Sequence, residues 1–204
     1  MKKTILDAVD GYHAIELDEE SKHLTTFITP WGTYRHRRLP QGFLSSNDAY
    51  TRRYDEVIKD VPRKVKCVDD VLLWDESIKS AFFHAWDYLT LCANRGIVIN
   101  KEKFKFCRDE IEFAGLQISN TGVCPAPTLL SAIADFPVPQ NITDARSWFG
   151  LINQVSWAHA TSSAMAPFRD LIKPKNKFYW DQNLDKIFKE SKRQLISQVQ
   201  AGVQ

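Results

Sequence analysis

No two cysteines of this chain stand close enough to form a CxxC pair. Cys67, Cys92, Cys107 and Cys124 are widely spaced, which argues against zinc and against a secreted disulfide framework, and suits reduced thiols in an intracellular compartment. Long apolar runs are missing too, so no stretch reads as a membrane span. Lys2-Lys3 followed by Ile5-Leu6 imitates the start of a signal peptide, but Asp7 and Asp10 interrupt it before an apolar region forms. There is no internal repeat and no low-complexity tract. Net charge is small: 27 Lys and Arg against 25 Asp and Glu leave +2. That excludes a general polycation, so any contact with nucleic acid must rest on local basic clusters.

What is present is an ordinary globular balance. The 204 residues are 44% hydrophobic and 12% aromatic, enough for one or two cores. The chain is organised around Val65 to Trp74, where β-prone apolar residues flank Asp69-Asp70. The pattern predicts two short strands joined by an acidic turn. Adjacent carboxylates in an apolar setting repel and lose water. A divalent cation offsets that cost, and Mg²⁺ prefers such oxygens. A plain polar hairpin turn is the competing reading of the pair.

Around that stretch the pattern predicts a strand over 3–9 and a break at Asp10-Gly11. Strand-like runs follow at 23–29 and 33–38, joined by Pro30-Trp31-Gly32. Leu39-Pro40-Gln41-Gly42 precedes a helix to about Lys59, capped by Ser45, Ser46 or Asn47. Ser77 caps a second helix through Asn94, with Ala81, Phe82, Ala85, Trp86, Leu89 and Cys92 on one side. Arg95-Gly96 ends it. Short strands over 97–118 include 111–113 and 116–118 around Ala114-Gly115. The expected fold is α+β, an antiparallel sheet with helices on one face. Asp7, at a strand end, can meet Asp69-Asp70 on one sheet edge. Beyond Asn120, prolines punctuate helices at 127–135, 143–155 (capped by Thr143) and 164–172. Lys173 to Lys177 form a basic linker, and a last helix over 182–199 ends without a partner.

Three aspartates in two segments are the minimum for a two-metal site, with ions about 4 Å apart clamping the attacking and leaving oxygens of a phosphoryl transfer. The motifs here, in order, resemble those of a reverse transcriptase of the gypsy-type long-terminal-repeat retrotransposons and their retroviral relatives. The likeness rests on Leu6-Asp7-Ala8-Val9-Asp10-Gly11-Tyr12-His13, Leu39-Pro40-Gln41-Gly42, Cys67-Val68-Asp69-Asp70, Phe113 to Ser119, and Ile142 to Asn153. It implies a partial right-hand polymerase palm over 1–119, a thumb-like helical region over 120–172, and a linker and helix over 173–204 leading toward a connection and RNase H region.

The resemblance also implies roles. Asp7, Asp69 and Asp70 would be catalytic and would hold two Mg²⁺ ions, with Mn²⁺ as a substitute. Tyr12 would be the steric gate against a ribose 2′-hydroxyl; the alternative is a packed core tyrosine. Gln41 and Gly42 would lie at the incoming dNTP; the alternative is a solvent turn. Lys101 or, better, Lys103 would act on the leaving pyrophosphate; the alternative is a solvated face. Phe113, Gly115 and Leu116 would form the primer grip. Partners would be an RNA or DNA template-primer and the remaining polyprotein domains (fingers, RNase H, integrase), in the cytoplasm within a virus-like particle or in the nucleus. Arg35 to Arg38, Arg52-Arg53, Arg63-Lys64, Lys101 to Lys105 and Lys173 to Lys177, with Trp31, Tyr34 and Phe104 nearby, could follow a phosphate backbone. Cys67 stands where the family has an aromatic, and Asp48 where it has a small residue. With the fingers expected to be missing, the isolated chain is expected to polymerise weakly or not at all. Two rivals are a non-catalytic nucleic-acid-binding remnant and a nucleotide cyclase. The cyclase would want a Gly-rich turn that Cys67-Val68-Asp69-Asp70 lacks.

Overall fold

The computed structural model describes residues 1–9, 11–153, 166–173 and 177–200. Asp10, Lys175 and the expected helix ends at 154–155 and 164–165 therefore lie outside the described residues. The chain forms two compact units, Met1–Asp109 and Glu110–Gln204. This division falls ten residues before the 1–119 boundary expected from the motifs. Among the described residues no helix is long and apolar enough to cross a membrane.

The first unit runs β1 (Lys2–Val9), a 3-10 turn (Gly11–Ala14), α1 (Glu19–Leu24), β2 (Phe27–Thr29), β3 (Gly32–Tyr34), α2 (Ser46–Ile58), β4 (Lys64–Cys67), β5 (Asp70–Asp75), α3 (Ile78–Asn94), β6 (Val98–Ile99) and β7 (Lys105–Arg108). Its sheet is antiparallel in the order β4-β5-β1, with β6 and β7 sharing the far side of β1. Strand residues alternate between faces. Leu6, Ala8, Val71 and Leu73 accordingly pack on Tyr50, Tyr54 and Ile58 of α2 and on Tyr88 and Cys92 of α3. Each large side chain so buried contributes about 1.5–3 kcal/mol. This is the expected sheet with helices on one face.

Three expectations are corrected here. The strand over 23–29 begins only at Phe27, because Asp18 accepts a hydrogen bond from the Ser21 N–H and caps α1, with Glu19 and Glu20 in its first turn. The second run is a strand only to Tyr34. The buried stripe of α3 is Ala81, His84, Ala85, Tyr88 and Cys92. Phe82 and Trp86 point outward, 52% and 61% exposed. The helix start matches expectation, with Ser77 and Ser80 completing a reciprocal capping box.

The second unit holds β8 (Ile111–Phe113), β9 (Leu116–Ile118), β10 (Val123–Pro125), α4 (Pro127–Asp135), α5 (Ile142–Asn153), α6 (Ala166–Leu171) and α7 (Gln182–Gln200). β10 was not foreseen. Its three-stranded meander joins α4 directly, the Ala126 N–H donating to the Gly115 carbonyl. Asn141 rather than Thr143 caps α5, accepting from the N–H groups of Thr143 and Asp144 at 2.9 Å. Nor does α7 lack a partner: Leu184 and Phe188 share a core with Trp148, Ile152, Ile133 and Phe168. The apolar stripe of α7 is buried because α4 to α6 present a matching one.

Candidate catalytic site

β1 and β5 pair in a register that sets Asp7 directly opposite Asp70. Directly opposed residues point to the same face, here the face away from α2 and α3. Asp69 occupies the turn between β4 and β5, and its carbonyl accepts the Ala8 N–H at 3.1 Å. Val68, beside it, holds φ at +54°, a strained value for a β-branched residue. The ladder thus gathers three carboxylates from two segments about sixty residues apart in sequence. Asp7 is buried, whereas Asp69 and Asp70 are partly exposed.

The electrostatics reflect that crowding. Burial, with Asp7 alongside and Asp69 near, pushes the Asp70 carboxyl up to about 6, while Lys103 works in the opposite direction. Asp69 Oδ1 is buried with no hydrogen-bond partner, and so is the Tyr50 hydroxyl. The two lie close enough that burial first, and then the hydrogen-bonding reach and charge of Asp69, raise the phenol's pKa. Lys103 Nζ stands 3.2 Å from Asp7 Oδ2. It arrives because β6 pairs with Ala8 and Val9, and the Asn100 N–H then donates to the Asp7 carbonyl. Lys101 faces solvent near Glu102.

Among the described residues no three carboxylate, histidine or cysteine groups form a ready-made ion cage. The donor set nevertheless fits a hard divalent cation: all-oxygen ligands, one of them an orphaned buried carboxylate oxygen, and one carboxyl whose charge is costly without a cation.

The turn that follows β1 carries Tyr12. Its hydroxyl donates to Asn47 Oδ1 at 3.1 Å, and its ring lies 4.8 Å from that of Tyr50. Ser46 is buried at the start of α2 and donates to the Pro40 carbonyl at 2.6 Å, tying the Leu39-Pro40-Gln41-Gly42 turn to α2. Gln41 and Gly42 are exposed, and Gly42 uses φ +84°, which glycine adopts without strain. In the second unit, Phe113 is buried, Leu116 is partly buried, and Ala114 and Gly115 between them adopt φ +50° and +78°. That is the two-residue hairpin turn whose twist suits paired strands.

Sequence reasoning missed Asn47 and Tyr50 as site residues. It also missed a buried charge cluster on the helix side, where Asp75 accepts from Arg63 at 2.7 Å and from His84 Nδ1 at 2.8 Å. An aspartate inside the apolar run Val71-Leu72-Leu73-Trp74-Asp75 was the available signal.

A family profile described as reverse transcriptase (RNA-dependent DNA polymerase) matches residues 3–118, more than half the chain. The chain belongs to the reverse transcriptase family. It is 25% identical over 198 residues to a putative enzymatic polyprotein of Cassava vein mosaic virus, covering 93% of this chain and 30% of that protein. It is 29% identical over 177 residues to the retrovirus-related Pol polyprotein of the Drosophila melanogaster transposon gypsy, covering 85% and 17%. The chain thus spans less than a third of these relatives. The fold matches a foamy viral protease-reverse transcriptase solved with an RNA/DNA hybrid, at a TM-score of 0.85 and 23% identity, over 95% of this chain and 27% of that one. A second foamy viral structure, with double-stranded DNA, matches at 0.84. The reverse transcriptase region contains the aspartate register, the Tyr12 turn and Lys103. The gypsy-type character read from the motifs is supported by further matches to transposons 297 and 412.

Proposed function

We propose that this chain provides the palm and thumb-like part of an RNA-directed DNA polymerase that adds dNTPs to a primer 3′-hydroxyl on an RNA or DNA template. The observation that supports it most is the Asp7–Asp70 cross-strand pair beside Asp69. These carboxylates would hold two Mg²⁺ ions, or Mn²⁺ in substitution. When bound, the ions supply charge neutralisation for the attacking oxygen and the departing pyrophosphate. The chain's own residues position the partners. The Tyr12 ring, backed by Tyr50, excludes a 2′-hydroxyl. Gln41 and the Gly42 backbone border the nucleotide. Lys103 offers a cation and proton to the pyrophosphate. Phe113, Gly115 and Leu116 support the primer strand. Fingers, RNase H and integrase domains of a polyprotein are the proposed covalent partners, acting inside the cell.

The test is Mn²⁺ binding followed by electron paramagnetic resonance, together with primer extension. The wild-type chain should bind Mn²⁺, and Asp7→Asn and Asp69→Asn should each abolish that binding. Lys103→Ala should strengthen it by no more than about fivefold, since an ion pair whose lysine is largely exposed is worth about 1 kcal/mol. A second reading is a non-catalytic nucleic-acid-binding remnant, in which Lys103 rather than a metal ion balances Asp7. That reading requires wild-type and aspartate variants to bind template-primer equally with no Mn²⁺ uptake. The expectation of weak extension by the chain alone stands as part of the proposal, and robust extension would overturn it.

A further inference from the structure

Behind the Tyr12 turn lies a separate hollow of about 320 Å³, within the ~300–1,000 Å³ range of small-molecule sites. Ile15, Val57 and Ile97 give it apolar walls, and Tyr50 and Tyr54 add aromatic ones. Arg53 and Arg95, both exposed, complete the lining. The lining's single carboxylate, Glu16, is already paired with Arg38 at 3.1 Å. Glu56, outside the hollow, feels both arginines electrostatically. The hollow therefore combines apolar and ring surfaces with two exposed guanidinium groups, whose charge Glu56 offsets only from outside it. Flat aromatic rings suit the first, and a carboxylate suits the second.

Tyr50 links this hollow to the site. One side of the residue borders the cavity. Another meets Gly11 so closely that a Cβ there would lie 2.3 Å from the ring, and its ring also lies against Tyr12. We propose that the hollow is a binding site for small aromatic carboxylates, and that its occupant fixes the Tyr50 ring and through it the Tyr12 turn. The site stands whether or not the aspartates bind metal.

The experiment titrates 1-naphthoate into the ¹⁵N-labelled chain and follows amide shifts. Saturable binding is expected, with the largest shifts at Ile15, Ile97 and Val98 and a transmitted shift at Tyr12. Ala14 and Val98 border the hollow from exposed positions. Ala14→Trp and Val98→Trp, each checked for folding by circular dichroism, should each abolish binding by filling it. Arg53→Gln combined with Arg95→Gln should weaken binding about tenfold. Phe82→Ser with Trp86→Ser, on the exposed face of α3, should leave it unchanged. The site is refuted if binding survives both tryptophans, if it vanishes with the α3 pair, if 2-naphthol binds as tightly as naphthoate, or if nothing saturates in the millimolar range. Shifts confined to the hollow, with Tyr12 unmoved, overturn the link to Tyr50.

Discussion

Replacing Gly11 by alanine should unsettle the Tyr12 turn through a single contact. A Cβ at Gly11 would lie 2.3 Å from Tyr50 Cε2 and 2.5 Å from both Cζ and the hydroxyl oxygen. Carbon pairs sit comfortably at about 3.5–4.0 Å, so the ring must retreat by roughly 1 Å. It has little room. Tyr50 is 4% exposed and held between Tyr12 at 4.8 Å and Tyr54 at 5.7 Å. Backbone strain plays no part, since Gly11 lies outside the left-handed region. Overpacking of this kind costs about 1–3 kcal/mol. For a unit of about a hundred residues that lowers Tm by roughly 4–20 °C. Thermal unfolding by circular dichroism measures it. Tyr50→Leu removes all three clashing atoms, so Gly11→Ala should cost at least about 1 kcal/mol less in that background. An unchanged Tm for Gly11→Ala, or strict additivity in the double variant, would refute the account of how this turn is held.

Three further outcomes follow from the geometry. Folded Asp70 keeps its proton up to about pH 6, whereas the unfolded chain releases it near 3.8. In EDTA the folded state therefore binds more protons between those values, and Asp70's contribution to stability falls as pH rises through that window. Subtracting Asp70→Asn from wild type in urea titrations at pH 4.5 and 7 isolates this slope, and a difference of the opposite sign would contradict it. Asp75→Ala strands Arg63 and His84 and should cost about 3 kcal/mol, the low end for a buried pair because Arg63 is half exposed; urea denaturation reads it. Ala114→Asn relieves an L-residue at φ +50° and should add about 0.5–1 kcal/mol, measurable as a raised urea midpoint.

Much of the site was legible because its signals are local. Asp69-Asp70 inside a β-prone run announced a hairpin, and Ser77 announced α3 to the residue. The helical periods of α4 and α7 were also plain, because each carries one continuous apolar stripe. What failed depended on partners distant in sequence. Phe82 and Trp86 have the spacing of a core stripe, but the sheet meets α3 one step round, so His84 and Tyr88 are buried instead. His84 is acceptable there only because Asp75 receives its Nδ1–H. His23 and Leu24 read as the start of the 23–29 strand, but they are the last turn of a helix that the Asp18 cap starts at Glu19. Asn47 and Tyr50 carried no motif of their own. Their importance comes from the Tyr12 hydroxyl and the Asp69 carboxylate, which only the folded register brings to them.

That register has a consequence for how this element tolerates change. Side chains on β1 swap faces at every step, so inserting or deleting one residue between Lys2 and Leu6 leaves two options. Either Asp7 stays opposite Asp70 and the upstream Lys3–Ile5 segment turns inside out, or that segment keeps its faces and Asp7 swings toward the helices, taking Leu6 and Ala8 off the core. A change of length in this strand should therefore do far more damage than a substitution.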